Sequence, residues 1–201
     1  MKIIECQQGT EEWLQARLGV PSASNFSKLV IMNGKASTQA DGYINALVAE
    51  RLTGQSTFVQ ITDAMQRGTD LEPYARDKYQ DITLNLVTQV GFCMHDEITA
   101  GASPDGLVED DGGLEIKCPM PHTHVEYLRE GKLPSKYFQQ VQGCLWITGR
   151  SWWDFMSYHP QMKPLIVRVE RDEDFIESLE ENVRKAVERI NYLVDKFKEE
   201  A

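Results

Sequence analysis

Apolar and polar residues alternate from Leu114 to Cys118, which is typical of a β-strand that buries one face. Gly106 to Glu109 can form a partner strand, and Asp110 to Gly113 between them is a strong turn signal. Pro119 cannot donate a hydrogen bond to a neighbouring strand, so it is expected to end the second strand. The pattern therefore predicts a β-hairpin, around which the other elements of the chain are arranged.

Helical spacing of apolar residues, together with capping signals, predicts several helices. They are expected over Thr10 to Gly19, Ser22 to Val30, Tyr43 to Leu52, Met65 to Tyr79, Pro134 to Gly149 and Asp172 to Glu199. Further strands are expected at Leu84 to Met94 and Ile98, beside the hairpin, and at Trp152 to Tyr158 and Leu165 to Glu170. This order predicts an α/β fold with a central mixed β-sheet flanked by helices, and the length suits a single domain over residues 1–201.

The predicted hairpin carries three charged side chains that can act together. Glu115 and Lys117 are two residues apart and project from the same face of one strand, and Asp105 lies near the open end of the hairpin. All three share a face if the register places Asp105 opposite Lys117, but the sequence does not fix that register. Neighbouring carboxylates repel each other unless a cation neutralises them, and an oxygen-seeking ion such as Mg2+ does so. A plain surface hairpin with a solvated Glu-x-Lys pair would carry the same residues.

Such a trio is suited to phosphoryl chemistry. A divalent ion makes a water molecule nucleophilic near neutral pH and polarises a phosphoryl oxygen. Lys117 lies beside carboxylates, which favour its charged form. It is therefore better placed to orient the water or to stabilise the phosphorane than to act as a base.

These residues resemble a known nuclease motif. Pro104-Asp105 followed by Glu115-Ile116-Lys117 resembles the PD-(D/E)xK motif. The longer string from Ser103 to Pro119 resembles the lambda-exonuclease (YqaJ-type) family of phage recombination nucleases. The resemblance extends from about Trp13 to about Glu170, and it implies a restriction-endonuclease-like core.

The resemblance also implies a metal site. Asp105, Glu115 and the carbonyl group of Ile116 would bind Mg2+, with Mn2+ as a substitute and two ions in each active site. The family has a metal-site acid in a segment R-G-x-x-x-E, and Glu72 is the matching residue, which would act through water. Pro73 follows directly within the predicted helix and leaves the direction of the Glu72 side chain open.

Two further catalytic roles follow from the resemblance. Lys117 would position the nucleophile. The family pattern Y-x-x-Q-V-Q matches Tyr137, Gln140, Val141 and Gln142, and the glutamine at the Gln140 position orients groups at the active site. Without the resemblance, Gln140 would be read as an exposed polar residue.

A second polar group lies near the start of the chain. Trp13 and Arg17 share a helical face that leads into a Ser-rich helix start, whose free N–H groups and hydroxyls suit a phosphate. An ordinary cap and a surface charge would give the same pattern. The family pattern W-x-x-x-R-L-G…S-A-S matches this segment, and it implies that Arg17 and Ser24 hold a 5′-terminal phosphate. The expected DNA-binding set is completed by Ser22, Trp13, Ser103 and Tyr137.

The formal net charge of −10 counts against a protein that binds DNA over a broad surface, because nonspecific affinity comes mostly from Lys and Arg on phosphates. Much of the acid lies at Glu109 to Asp111 and from Glu170 onward, so a small basic groove can coexist with an acidic exterior. A processive enzyme of this charge needs another way to stay on DNA. The resemblance implies a homotrimeric ring, for which Lys28, Lys35 and Arg51 are candidate residues of the channel wall.

Other features of the sequence predict the cellular location and argue against a zinc site. The four cysteines are scattered without zinc spacing, which predicts reduced thiols in a cytosol. No run is long enough to cross a membrane, and the start becomes acidic too soon for a signal peptide. His122 and His124, in a Pro-rich loop, are weak evidence for zinc, and His95 in a turn is expected to be solvated. With the resemblance, these features predict a prophage-encoded protein in the cytoplasm of a bacterial host.

The function that these inferences predict is a Mg2+-dependent, processive 5′→3′ exonuclease on ends of double-stranded DNA. It would leave 3′ single-stranded tails for recombination by a single-strand annealing partner. Two alternatives stay open. An endonuclease on the same core would also cut closed circles. A non-catalytic DNA-end adaptor that recruits the annealing protein would have no need of the complete set Asp105, Glu115 and Lys117.

Overall fold

A computed structural model describes residues 1–57 and 62–200 of the chain. Within these ranges the strands are β1 (Lys2–Ile4), β2 (Val87–Thr88), β3 (Phe92–Met94), β4 (Gly101–Ala102), β5 (Gly106–Val108), β6 (Gly112–Lys117), β7 (Trp152–Ser157) and β8 (Leu165–Glu170). The α-helices are α1 (Glu11–Arg17), α2 (Ala40–Thr53), α3 (Asp63–Thr83), α4 (Pro121–Glu130), α5 (Phe138–Thr148) and α6 (Glu173–Glu199). Two short 3₁₀ helices cover Ala23–Lys28 and Ser135–Tyr137. In the part of the chain that is described, no helix combines the length and the apolar character needed to cross a membrane.

The strands form two sheets. The larger sheet has the order β2-β5-β6-β7-β8, in which β6 and β7 are parallel and the other neighbours are antiparallel. The smaller sheet has the order β1-β3-β4 and is antiparallel. A parallel pair needs a long crossover, which the segment containing α4 and α5 supplies. The predicted α/β fold with a central mixed sheet flanked by helices is confirmed.

The main apolar core lies between the sheets and the helices α2, α5 and α6. The amphipathic pattern of α6 predicts its buried side, and Phe175, Leu179, Val183 and Ile190 are all buried in that core. A second, smaller cluster joins α3 to the large sheet through Tyr79 and residues of β5 to β7. Strand β6 is therefore covered on both faces, which is the feature that matters most for the site.

The predicted hairpin is present, but its turn is shorter than predicted. Gly112 and Gly113, which were assigned to the turn, belong to β6 and pair with Val108 and Leu107. The two glycines leave space for the neighbouring strand, since a Cβ on Gly113 would lie 2.2 Å from the ring of Trp153. Arg150 then closes the short turn, and its Nη1 donates to the carbonyl oxygens of residues 108, 109 and 112 at 3.1, 2.9 and 2.6 Å.

The register also differs from the one that would place Asp105 opposite Lys117. Gly106 pairs with Leu114, so the position before β5 extrapolates to Glu115. The expectation of one buried face is wrong as well, because Leu114, Glu115 and Ile116 are at most 5% exposed. The alternation in the sequence separates an apolar face from a charged face, and both are covered.

Two other local predictions need correction. The segment from Leu84 to Met94 was expected to pair beside the hairpin, but only β2 does so, whereas β3 pairs with β1 and β4 in the smaller sheet. Ile98 is buried in a turn and belongs to no strand. Strands of two or three residues are too short for the local sequence to predict which strand they pair with.

The histidines after β6 lie in helix α4, not in a Pro-rich loop. Pro121 occupies the first turn of this helix, where its missing N–H group costs no hydrogen bond. His124 is fully buried, with its ring nitrogens 2.7 Å from the Ser157 hydroxyl and 3.0 Å from the Lys163 carbonyl oxygen. His95 is half-buried and stacks on Trp146 with 4.8 Å between ring centroids, so it is not simply solvated. The contacts of His124 and His95 therefore join segments of the fold.

Candidate active site

The structure brings all five of the predicted catalytic side chains to one end of β6. Asp105 immediately precedes β5, and Glu115 and Lys117 are on β6. Glu72 projects from α3 on one side of the sheet, and Gln140 projects from α5. Because three separate elements contribute, the arrangement depends on the tertiary fold.

Glu115 is the most enclosed member of the group. It is 1% exposed, and its Oε1 accepts hydrogen bonds from Lys117 Nζ and, at 2.6 Å, from Gln140 Nε2. Its other oxygen, Oε2, is buried and has no hydrogen-bond partner among the described residues. One oxygen is thus fixed in position while the second is left available, and a buried oxygen without a partner is destabilising unless something else binds it.

Asp105 is fixed by the opposite strand. Its Oδ2 accepts a hydrogen bond from the backbone N–H of Ile116 at 2.5 Å. Its own carbonyl oxygen accepts from Arg76 Nε at 3.1 Å. The Asp105 carboxylate is therefore held at the peptide group that joins Glu115 to Ile116.

Burial raises the pKa values of all three acids, and repulsion from neighbouring carboxylates adds to this effect for Glu115 and Glu72. The pKa of Glu115 is raised to about 7, first by burial and then by the charges of Asp105 and Glu72, with Lys117 opposing. Burial also raises the pKa of Asp105, against the charge of Lys117, the Ile116 N–H group and Arg76. Burial and then Asp105 raise the pKa of Glu72, against Arg76 and Lys117. A group of acids in this state favours the arrival of a cation.

Lys117 remains protonated in this setting. Burial disfavours its ammonium group, but the carboxylates of Glu115 and Asp105 outweigh that effect and raise its pKa. Its Nζ also lies 5.4 Å from the ring centroid of Tyr137. A permanently charged donor at this position can bind an anion but cannot accept a proton.

Glu72 is oriented by its own helix. Helix α3 runs through Pro73 without a break, and Glu72 forms an ion pair with Arg76 one turn later. The Glu72 side chain is 33% exposed, which is much more open than Glu115 at 1%. The Glu72 side chain is thus directed toward Arg76, which itself donates to the Asp105 carbonyl oxygen.

The residues present fit a divalent cation held mainly by two carboxylates. Across residues 1–57 and 62–200, no group of three or more His, Cys, Asp or Glu side chains is arranged to hold an ion by itself. Mg2+ does not require such a group, since it commonly takes one or two carboxylates and completes its shell with waters and substrate phosphate. Asp105 and Oε2 of Glu115, which has no partner among the described residues, could provide these two ligands.

Three of the predicted DNA-binding residues, Trp13, Arg17 and Ser103, form a second cluster, whereas Tyr137 lies beside Lys117. Ser103 Oγ accepts hydrogen bonds from Arg17 Nη1 at 2.8 Å and from Trp13 Nε1 at 3.0 Å. The guanidinium carbon of Arg17 lies 4.1 Å from the centroid of the Trp13 ring. Within the described ranges, Arg17 forms no ion pair with a carboxylate, so its charge is available to an anion.

The serines of this region lie on a 3₁₀ helix, not on an α-helix as expected. Ser22 is buried and precedes it, and the exposed Ser24 lies within it, with 3.3 Å between their hydroxyl oxygens. The Ser22 N–H group donates to the Tyr43 hydroxyl at 3.2 Å. Burial lowers the pKa of Arg17, and the charges of Tyr43 and Glu50 oppose that effect.

The candidate channel residues are in different environments. Lys28 lies 5.2 Å from the Tyr43 ring centroid, and Lys35 is exposed. Arg51 donates to the Gly19 carbonyl oxygen at 2.8 Å and to Asn191 Oδ1 at 2.7 Å, so it already joins two segments of the chain. Their role in a channel stays a prediction.

Sequence reasoning missed two basic residues beside the site. Arg76 contacts both Glu72 and the Asp105 backbone, and its position four residues after Glu72 on a helix was a usable signal. Lys136 lies over the rings of Tyr127 and Tyr137, 5.4 and 5.0 Å from their centroids. Nothing in the local sequence distinguishes Lys136 from any other surface lysine.

Comparison with known proteins gives consistent matches. The YqaJ-like viral recombinase domain matches residues 12–151 of the chain. The crystal structure of LHK-Exo, an alkaline exonuclease from Laribacter hongkongensis, is similar with a TM-score of 0.86 and 38% identity, covering 95% of this chain and 97% of that chain. LHK-Exo in complex with dAMP gives a TM-score of 0.85 and 39% identity over the same shares. The ExoD protein of Escherichia coli (strain K12) is 34% identical over 62 residues, which are 29% of this chain and 71% of ExoD.

Binding of a cation between Asp105 and Glu115 should be visible as thermal stabilisation. We expect Mg2+ to raise the Tm of the wild type, because a ligand at 100 times its Kd stabilises the folded state by about 2.7 kcal/mol. Asp105→Asn and Glu115→Gln should fold but lose this rise, since each removes one ligand charge at nearly constant volume. The measurement is differential scanning calorimetry across a Mg2+ titration.

Asp77→Asn on the exposed side of α3 is the matched control, and it should keep the full rise in Tm. An undiminished rise in Glu115→Gln would show that the cation binds elsewhere.

Proposed function

Because this chain belongs to the YqaJ-like viral recombinase family and is a nuclease of the alkaline exonuclease type, we propose that it digests double-stranded DNA from its ends in the 5′→3′ direction. The product would be a duplex with 3′ single-stranded tails. The single observation that supports this most strongly is the buried Glu115 close to the half-buried Asp105, with one Glu115 oxygen that has no partner among the described residues beside a charged lysine.

Each catalytic residue has a role that follows from its contacts. Gln140 and Lys117 both donate to Glu115 Oε1, and they fix the carboxylate while Oε2 has no partner among the described residues. Lys117 stays charged, and it would orient the attacking water and stabilise the negative charge that develops on the phosphoryl group. Glu72 would hold a water molecule at the more open edge of the site.

The site would work with Mg2+, or with Mn2+ as a substitute. Asp105, Glu115 and the Ile116 carbonyl group would hold the metal, which would act as a Lewis acid on the phosphoryl oxygen. A second ion would use Glu72 through water. Buried carboxylates with raised pKa values are the observation that supports a requirement for a divalent cation.

The Arg17 cluster would select the 5′ end. A terminal phosphate carries more charge than an internal one, so a half-buried arginine without a carboxylate partner favours it. Ser24 and Ser22 would add hydroxyl donors, Trp13 and Ser103 would orient the guanidinium, and Tyr137 would contact DNA beside Lys117. LHK-Exo was crystallised with dAMP, a single nucleotide, which suits removal of one nucleotide at a time.

Processivity would come from a ring of three subunits around the duplex. The net charge of −10 makes the long-range attraction to DNA weak, and salt weakens it further. A closed ring keeps the enzyme on its substrate without a strong electrostatic grip. The tails would pass to a single-strand annealing protein in the cytoplasm of a bacterial host, an environment that suits four free cysteines.

The direction of digestion can be tested on a linear duplex labelled at either end. With Mg2+ present, we expect rapid release of a 5′ label, late release of a 3′ label, and no reaction in EDTA. Asp105→Asn should be inactive, and Lys117→Ala should be slower by at least ~10²-fold, the range typical of losing one transition-state donor.

Closed circular duplex is the control substrate. Intact circles are expected from an exonuclease, whereas nicked or linearised circles would indicate an endonuclease. Binding of ends without any digestion would leave the adaptor as the remaining alternative.

The role of Arg17 can be tested with two duplexes that differ only at the 5′ end. Arg17→Ala should slow digestion of the 5′-phosphorylated duplex far more than digestion of the 5′-hydroxyl duplex, because the lost charge acts on the terminal phosphate. Initial rates at equal DNA concentration give the comparison. Arg189→Ala, which removes a surface arginine from α6, should affect neither substrate. If Arg17→Ala slowed digestion of both duplexes equally, Arg17 would be a general DNA contact and would not recognise the 5′-phosphate.

The ring can be tested by mass and by a competitor trap. Light scattering at micromolar concentration should give about three times the chain mass of 22.9 kDa, since a cyclic trimer closes through heterologous interfaces. A monomer that still degrades kilobase duplexes in a single binding event, with unlabelled DNA as the trap, would contradict the ring as the source of processivity.

A further inference from the structure

We propose that Arg76 is a positioning residue: it holds Glu72 and the Asp105 segment in the arrangement that the reaction needs, and its positive charge weakens binding of the divalent cation. The proposal rests on the proposed nuclease function. It assigns a role to a residue that lies outside the PD-(D/E)xK motif and that contacts neither Glu115 nor Lys117 in the described structure.

The contacts of Arg76 join three separate segments. Its Nη2 forms an ion pair with Glu72, and its Nε donates to the Asp105 carbonyl oxygen at 3.1 Å. The side-chain amide of Gln89, with its oxygen turned toward the guanidinium, accepts from Nη1 at 3.1 Å and from Nη2 at 3.2 Å. One guanidinium therefore connects α3, the segment before β3 and the residue before β5.

Burial makes these contacts necessary. The Arg76 side chain is 9% exposed, and a charge removed from water is strongly destabilising unless it is paired and hydrogen-bonded. A guanidinium offers its donors in a rigid planar fork, so acceptors on different segments are held at fixed angles to one another. A lysine could reach one of the acceptors but could not hold all of them.

The positions of the acceptors link Arg76 to the reaction. Asp105 is a proposed metal ligand, and its backbone is held on one side by Arg76 while its carboxylate is held by Ile116 N–H on the other. Glu72 has a third of its side chain exposed, so without the ion pair its carboxylate would be free to turn toward solvent. Arg76 thereby restricts the orientation of Glu72, the group proposed to hold a water molecule.

The positive charge of Arg76 should affect Mg2+ binding and catalysis in opposite directions. The site contains the carboxylates of Glu72, Asp105 and Glu115 against the cations of Arg76 and Lys117, which leaves one formal negative charge. Replacing Arg76 with a neutral residue would increase the negative charge beside the cation, and a divalent ion would bind more tightly. Loss of orientation would nevertheless slow the reaction. If Arg76 served only the stability of the fold, its replacement would not tighten Mg2+ binding while lowering kcat.

The test compares Arg76→Met with Arg76→Lys in two measurements. The first is the Mg2+ concentration that gives half of the maximal rise in Tm, which requires no catalysis. The second is kcat at saturating DNA and Mg2+. For Arg76→Met we expect half-saturation at a lower Mg2+ concentration and a kcat reduced by about 10- to 100-fold, the range for losing a group that orients metal-site residues. Arg76→Lys should recover part of the kcat.

Lys78→Met is the matched control, because it removes one positive charge from the exposed side of the same helix. It should change neither quantity. Glu72→Gln completes a double-mutant cycle, in which Arg76→Met should reduce kcat much less than it does in the wild type, because residues that act through one another are not additive.

Three results would overturn the proposal: weaker Mg2+ binding by Arg76→Met with kcat restored at saturating Mg2+, additive effects in the cycle, or a wild-type kcat in Arg76→Lys. A wild-type kcat in Arg76→Lys would contradict the proposal even if Arg76→Met does not fold. If the wild type did not digest DNA at all, the proposed function would fail. The Mg2+ midpoints of Arg76→Met and Lys78→Met would still report whether Arg76 weakens metal binding.

Discussion

Glu115 is a carboxylate on a strand that is covered on both faces, and the structure around it must make its charge tolerable. Removing a carboxylate from water without partners is strongly unfavourable, so the group either binds a proton or acquires hydrogen bonds and a counterion. Here Gln140 and Lys117 satisfy one oxygen, and the other has no partner among the described residues. The fold therefore holds this acid in a state that a cation stabilises, and the neighbouring elements are arranged around that need.

The elements with strong local signals could be predicted from the sequence. The spacing of Glu115 and Lys117 on an alternating strand identifies the charged face of β6, and the long apolar stripe of α6 identifies a buried helix. These predictions hold because periodicity is a property of the segment itself. The family pattern also located Gln140, whose hydrogen bond to Glu115 has no local signal at all.

Other features could not be predicted, because they depend on residues far away in the chain. Gly112 and Gly113 give a strong turn signal, but the rings of Trp152 and Trp153 in the next strand require glycine there for space. The pairing of β3 with β1 joins segments about ninety residues apart, and two- or three-residue strands carry no pattern that specifies a partner. Arg76 is an intermediate case, since its spacing from Glu72 is visible whereas its contact with Asp105 is not.

Ser103 and Asp105 are separated by a single residue, Pro104, and each belongs to a different cluster. Ser103 accepts hydrogen bonds from Trp13 and Arg17, and Asp105 is bonded to β6. Two residues of extended chain span at most roughly 7 Å, and the ring of Pro104 stiffens that span by fixing φ. The distance between Ser103 in the first cluster and Asp105 in the second is thus limited by covalent geometry. Motions elsewhere in the molecule can therefore change the spacing of these two residues only slightly.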